Sequence, residues 1–253
     1  AVTLTEGTDF TVDFDGDNVN AGTEAGQLTL RGAGNYSGYK VVKFDILPVK
    51  LGTLPEGSVK VDDAEYTGKP AKPTATVSFN GKDYTEGFTV SSSDVNVTAA
   101  DTPASATLTG AAVMGEDGKY SAGNFTGTTT GTFHILPASI APATVVAGDV
   151  PAVVATADPL TYSAVEPGLY VTLGELALVN DPDNGRVDYN VTYALASGST
   201  GELLNGKPSK PGAYTVTVTG AGNYKDSVTA GFTVVDPDKR LITDAVLVST
   251  DAK

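Results

Sequence analysis

Two acidic runs carry the residue types of a hard-cation site. In DFDGDN (13–18), Asp13, Asp15 and Asp17 stand two residues apart. In DPDNGRVD (181–188), Asp181, Asp183, Asn184 and Asp188 offer a second set of oxygens. Ca2+ is the ion such oxygens suit, because hard cations gather several carboxylate and carbonyl ligands from a turning backbone. Asp, Asn and Gly are also what turns use for their own backbone reasons. Along a strand, positions two apart share a face only until the turn begins. Turn chemistry is therefore the favoured reading of both runs and Ca2+ binding the alternative. Counted from its first aspartate, neither run has the glycine that an EF-hand loop places sixth.

Other chemistry is sparse. The chain has one histidine, His134, and no cysteine. Thiolate metal sites and disulfides are excluded, and nucleophilic triads have no support. His134 stands between Phe133 and Ile135 in an alternating string, which predicts an outward, solvent-facing side chain. Carboxylate pairs for glycoside hydrolysis meet in space, not in sequence, but no stretch carries a distinctive acid motif. Tryptophan is absent, and Tyr36, Tyr66 and Tyr214 fall in recurring strings, where they read as packing residues and not a sugar platform. Asn35, Asn96, Asn124 and Asn190 head glycosylation sequons, two of them inside a recurring hairpin string. Lys43 alternates outward and Lys69, Lys72, Lys207 and Lys210 flank prolines, so none suits the buried lysine of an isopeptide bond. The expectation is a chain without enzymatic activity.

The elements that position these residues come from an internal period. GNYSGYKVVKFDILP (34–48) returns as GNFTGTTTGTFHILP (123–137) and GNYKDSVTAGFTVVDP (222–237). Asn35, Asn124 and Asn223 are followed at one fixed interval by Phe44, Phe133 and Phe232, and then by Pro48, Pro137 and Pro237. Upstream, DFTVDF (9–14), GFTVSS (87–92) and DYNVTY (188–193) form a second recurring string, and GQLTLRG, SATLTG and YTVTVTG a third. These strings alternate: Tyr214, Val216 and Val218 share one face and Thr215, Thr217 and Thr219 the other, a half-buried strand. Glycines of GAGNY supply the hairpin, and the closing proline ends the strand because it donates no ladder hydrogen bond. Tyr214 stands where a tyrosine corner would.

All-strand stretches of this length predict tandem Ig-like β-sandwich domains in an extended array, an all-β fold. The expected divisions are 1–48, lacking about 30 residues of opening strands by comparison with the next stretch, then 49–137, 138–237, and 238–253, where a further repeat or linker begins. Proline-containing connections predict semi-stiff joints. The incomplete start allows two readings, a window of a longer array or donor-strand completion, in which the tail of one molecule fills the gap in another. Residues 111–122, 174–186 and 196–207 read as insertions, either neutral or placed to touch a ligand.

Bulk numbers agree. The 253 residues carry a net charge of −14 with 40% apolar and 18% charged residues. That charge disfavours nucleic acid and anionic lipid as partners. The most apolar stretch, 138–157, holds Pro142, Asp149 and Pro151 and predicts no membrane insertion. AVTLTEGTDF reads as no signal peptide.

AEYTGKPAKPTATV (64–77), EGTDFTVDF (6–14), NVNAGTEAGQLTLRGAGNYSG (18–38) and FDI (44–46) resemble the Ig-like repeats of very large surface proteins of Gram-positive gut bacteria. The resemblance covers almost all of 1–137 and, more loosely, 205–237; SKPGAYTV departs from it. It implies an extracellular, wall-attached stalk or adhesin without catalytic residues. Expected partners are neighbouring Ig-like repeats of the same chain, a host or cell-surface protein or glycan, and a second copy in head-to-tail self-association. The alternatives are an accessory region of a secreted carbohydrate-active or proteolytic enzyme, and a filament subunit.

Overall fold

A computed structural model describes residues 2–15, 18–121, 123–157 and 159–237. Asp17 and the expected opening of a further repeat at 238–253 lie outside the described residues. The chain is all-β with many small sheets, and it divides into two compact units, one ending at Leu136 and one beginning at Pro137. The first two expected divisions thus fall within one unit.

The first unit opens with β1 (Phe10–Asp15), β2 (Gly22–Gly32) and β3 (Tyr39–Ile46), an antiparallel sheet with β2 in the middle. Its register pairs Phe10 with Gly32, Val12 with Leu30 and Leu28 with Val42. Because side chains alternate, this puts Val12, Leu28, Leu30, Val42 and Phe44 on one face and Thr11, Asp13, Thr29 and Lys43 on the other. The rest of the unit holds β4 (Val49–Lys50), a single 3-10 turn (Leu51–Thr53), β5 (Val59–Val61), β6 (Ala64–Glu65), β7 (Ala75–Phe79), β8 (Lys82–Tyr84), β9 (Phe88–Ser91), β10 (Ala104–Gly110), β11 (Phe125–Thr126), β12 (Thr128–Phe133) and β13 (Ile135–Leu136). Asn80 and Gly81, with φ of 50° and 74°, make the two-residue turn between β7 and β8, as an Asn-Gly pair does in a hairpin matched to strand twist. Sheets β5–β7–β8 and β9–β10–β12 share one core. Val61 and Val77 come from the first sheet, and Ala106, Leu108 and Phe133 from the second, with Leu51 and Phe125 beside them. Each large aliphatic or aromatic side chain sealed there contributes about 1.5–3 kcal/mol.

The second unit holds β14 (Ala138–Ser139), β15 (Thr144–Ala147), β16 (Val150–Pro151), β17 (Val153–Ala157), β18 (Leu160–Ser163), β19 (Leu169–Leu173), β20 (Leu176–Leu178), β21 (Asn180–Asp181), β22 (Arg186–Val187), β23 (Tyr189–Leu195), β24 (Leu203–Leu204), β25 (Lys207–Pro208), β26 (Gly212–Gly220), β27 (Tyr224–Lys225) and β28 (Ser227–Val235). Sheet β16–β28–β26–β23 buries Tyr214, Val216, Val218, Phe232 and Val234, and sheet β15–β19–β20 buries Val171 and Leu178. Tyr214 stacks on Phe232 at 5.7 Å and Tyr193 meets the same ring edge-on at 6.0 Å.

The recurring letters have matching places. β1–β2–β3, β9–β10–β12 and β23–β26–β28 share one order, with the middle string in the middle strand. Ahead of each hairpin a glycine meets backbone that leaves no room for a Cβ. One added to Gly32, Gly110 or Gly220 would lie 2.8, 2.5 or 2.7 Å from the main chain around Tyr36–Ser37, Phe125–Thr126 or Tyr224–Lys225. Gly34 and Gly222 take φ of 61° and 60° in the turns closed by Tyr36 N–H to Ala33 C=O and Tyr224 N–H to Ala221 C=O. The residues after Pro48 and Pro137 then pair forward. β4 lies parallel to β11, with Val49 N–H donating to Asn124 C=O at 2.8 Å; β14 lies parallel to β27, with Ala138 N–H donating to Asn223 C=O at 3.0 Å. A second parallel ribbon follows in each unit, β6 with β13 and β16 with β28. An aspartate beside each ribbon accepts a final-strand N–H at 2.7 Å, Asp63 from His134 and Asp149 from Thr233.

Residues 174–186 are not a plain insertion. Leu176–Leu178 pairs with β19 as the third strand of its sheet, as β8 does with β7, and Leu178 is buried. Only 180–187 adds a small hairpin.

Candidate functional site

The first acidic run begins on a strand, β1, which ends at Asp15. Asp13 and Asp15 occupy the polar face of β1. Asp13 accepts the Arg31 Nε–H at 2.7 Å from the neighbouring strand, and Asp15 accepts the Thr29 hydroxyl. Asn18, with φ of 46°, ties the end of β1 to β2: its side chain donates to the Asp15 and Gln27 carbonyls and accepts from Gln27 N–H. Glu24, twelfth from Asp13, is a residue the spacing of the aspartates does not bring to notice. It stands where an EF-hand loop carries its bidentate glutamate. Here it sits in the bulge between Gly22 and Gly26, beside Lys43 at 3.9 Å. One carboxylate oxygen each of Asp13 and Asp15 is thus taken up by a partner on the neighbouring strand.

In the second run the side chains divide between two tasks. Asp181 caps its own turn, accepting Asn184 N–H at 3.2 Å and Asn184 Nδ2–H at 2.6 Å. The Asn184 side chain is the main cause that holds the Asp181 carboxyl below the usual carboxylate range. Asp183 is an exposed turn residue. Asp188 is 8% exposed and serves the fold: its Oδ2 accepts Val179 N–H at 2.9 Å and Arg186 Nε–H at 3.1 Å. Among the described residues no three His, Asp or Glu side chains converge as a cation site would require.

His134 is partly covered and tied down, where alternation predicts it facing solvent. Ile135 N–H donates to Thr98 Oγ1 at 3.1 Å, and the Thr98 hydroxyl stands 3.1 Å from His134 Nδ1. The loop carrying Thr98 lies against the strand, a long-range contact that alternation cannot show.

Tyr214 has the geometry of a tyrosine corner. Its hydroxyl donates to Lys210 C=O at 2.6 Å, four residues upstream, with Glu202 C=O 3.0 Å away, and accepts Glu202 N–H at 2.8 Å. Tyr214→Phe is expected to leave that donor unmet and to cost about 1–3 kcal/mol, read as a lower urea midpoint for the second unit with its slope unchanged.

A cleft of about 750 Å³ runs along β23, an edge strand, between Tyr189, Tyr193, Asn180 and the Glu166–Lys207 ion pair. Burial, then the Glu166 charge, pushes the Tyr193 hydroxyl up to about 12 from 10.0. Burial also raises Tyr189. A phenol whose folded-state value is raised contributes stability that is complete below pH 10 and lost as pH rises toward 12. Because Tyr193 is only partly buried, the expected loss is about 1–2 kcal/mol. Circular dichroism across that window should show it, and Tyr193→Phe should reduce it. The cleft holds an ion pair, amides and two tyrosines whose rings belong to the packing, an arrangement that can contact a polar ligand but sets up no nucleophile with a base.

Comparison with protein-family models and with curated proteins finds no match.

Proposed function

We propose that the chain is a run of Ig-like β-sandwich repeats, 1–48, 49–137 and 138–237, and that it serves as a non-catalytic stalk or adhesin segment of a secreted bacterial surface protein. The observation that carries this reading is the paired parallel ribbons, β4·β11 and β6·β13 in one unit, β14·β27 and β16·β28 in the other. Each joins the opening of a repeat to its end. Tension applied through the chain ends loads such a ribbon along its length, so its hydrogen bonds must break together and not one at a time. The recurring residues are spent on cores, turns and these ribbons, which is what a load-bearing array requires and a reaction centre does not. The loops at 111–122 and 196–207 and the cleft along β23 are the surfaces through which it meets a host or cell-surface protein or glycan. Its surroundings are extracellular, and no helix among the described residues is long and apolar enough to cross a membrane.

Single-molecule stretching through the two ends tests this. Repeats that bear load give discrete force peaks, each releasing about 30 nm of chain, and Asp63→Ala with Asp149→Ala lowers the peaks. Smooth extension without peaks contradicts the stalk.

A further inference from the structure

β23 ends its sheet with one side of its backbone unpaired. Ala221 N–H donates to Asp188 C=O at 3.0 Å, and Ala196 N–H donates to Ala213 C=O at 3.1 Å. Antiparallel ladders alternate, so between those two bonds Asn190, Thr192 and Ala194 turn their N–H and C=O toward β26. Tyr189, Val191, Tyr193 and Leu195 turn theirs to the open side, where no described strand pairs with them. Edge strands are commonly guarded by charge or proline. β1 carries Asp13 and Asp15, β3 Lys40 and Lys43, β8 Lys82 and Asp83, and β16 Pro151. β23 carries neither guard, and among the described residues it is the longest edge strand of which that is true.

The cleft of about 750 Å³ follows this edge. Every residue from Tyr189 to Tyr193 lines it, so it tracks the backbone and not one face of the strand, and Pro167 and Leu169 add apolar surface. A sugar needs an open ring to lie on, but Tyr189 is buried and Tyr193 is held edge-on against Phe232. An extended peptide needs what the edge offers, N–H and C=O pairs that repeat every second residue, about 7 Å apart. Charge selects among peptides. The nearby cations Arg186, Lys207 and Lys210 are held by Asp188, Glu166 and Glu202. In the hairpin ahead of β23, no cation among the described residues pairs with Asp181 or Asp183. The net charge of −14 opposes the pairing of β23 with β23 of a second copy.

We propose that the β23 edge takes an extended peptide of alternating apolar and polar residues with basic ends, which joins the four-stranded sheet as an added strand. Its backbone bonds to Val191, Tyr193 and Leu195, its apolar side chains enter the cleft beside Pro167 and Leu169, and a basic end lies toward Asp181 and Asp183. Such binding rests on the reading of the cleft as the surface that meets a partner, and it narrows that partner from protein or glycan to a protein strand. Load bearing is separate: a smooth stretching curve leaves peptide binding intact, and loss of peptide binding leaves the force peaks in place.

The probe is a capped peptide, Lys-Val-Thr-Val-Thr-Val-Lys, titrated into the full chain and followed by amide hydrogen exchange and sedimentation. In the free chain the amides of Val191, Tyr193 and Leu195 are expected to exchange faster than those of Asn190, Thr192 and Ala194. Saturating peptide should slow the three edge amides by on the order of 10-fold. A copy of the peptide with a fully N-methylated backbone should lose the effect, and one with glutamate ends should bind about 10-fold more weakly. Val191→Pro removes one edge N–H without touching the β26 ladder and should weaken the peptide. Thr192→Lys, at an exposed position, should weaken it by on the order of 10-fold with the urea midpoint unchanged. No slowing at roughly 1 mM peptide overturns the proposal. So does equal slowing by the N-methylated copy. Slowing of the same amides by chitohexaose and not by peptide assigns the cleft to a glycan, and a free chain that sediments as a dimer with its edge amides already slow assigns the edge to a second copy; either result overturns it as well.

Discussion

Replacing Phe125 with alanine is expected to lower the unfolding free energy of the unit ending at Leu136 by about 3–5 kcal/mol. The ring is 1% exposed and meets Tyr84 and Phe88 edge-on at 5.2 and 5.9 Å, so its removal strips two aromatic contacts and leaves a cavity. It also lies on β11, against which Val49 and Lys50 pair, so the loss reaches the ribbon that joins the opening of the repeat to its end. Tyr36→Ala is the matched control. It stands at the same place in the recurring string and is 41% exposed, so its replacement should cost less than about 1 kcal/mol. Denaturant melting of the two variants separates the effect of the letter from the effect of its surroundings. Equal losses would mean that Tyr36 is covered in solution.

The second large effect belongs to two glycines. A methyl group at Gly110 would lie 2.5 Å from the Phe125 carbonyl carbon and oxygen and the Thr126 nitrogen, and at Gly220 it would lie 2.7 Å from Lys225 N. These neighbours are main chain and cannot rotate aside, so the final hairpin has to move. Gly110→Ala and Gly220→Ala are each expected to cost about 3 kcal/mol, at the upper end for overpacked sites, and to weaken β11 and β27 against their parallel partners. Thermal melting followed by circular dichroism checks both. Gly81→Ala is the contrast: with φ of 74° and open space around it, its cost comes only from backbone strain.

Much of the fold is legible in the residues because strands alternate. Tyr214, Val216 and Val218 are buried as their spacing requires, and the threonines between them are not. The glycines before each hairpin mark turns, and Pro48 and Pro137 mark strand ends, that the structure contains. What is not legible depends on a distant partner. Tyr36 and Phe125 have the same local letters, and only the sheet opposite decides which is sealed. The parallel ribbons are two residues long, too short for any period to announce. Leu176–Leu178 sits among Gly, Glu and Asp that read as a loop, yet β19 recruits it as a strand. The partners of the acidic side chains are hidden for the same reason. Register brings Arg31 to Asp13 and Thr29 to Asp15, and a fold-back brings Val179 and Arg186 to Asp188.

Native-state hydrogen exchange on the full chain, with and without Phe125→Ala, tests the main proposition most directly. If like-built stretches each fold around their own core, the substitution strips protection from amides in 49–136 and leaves those of β23, β26 and β28 at their parent rates. Simultaneous loss of protection along both sets of strands would reveal one shared core and contradict the modular account.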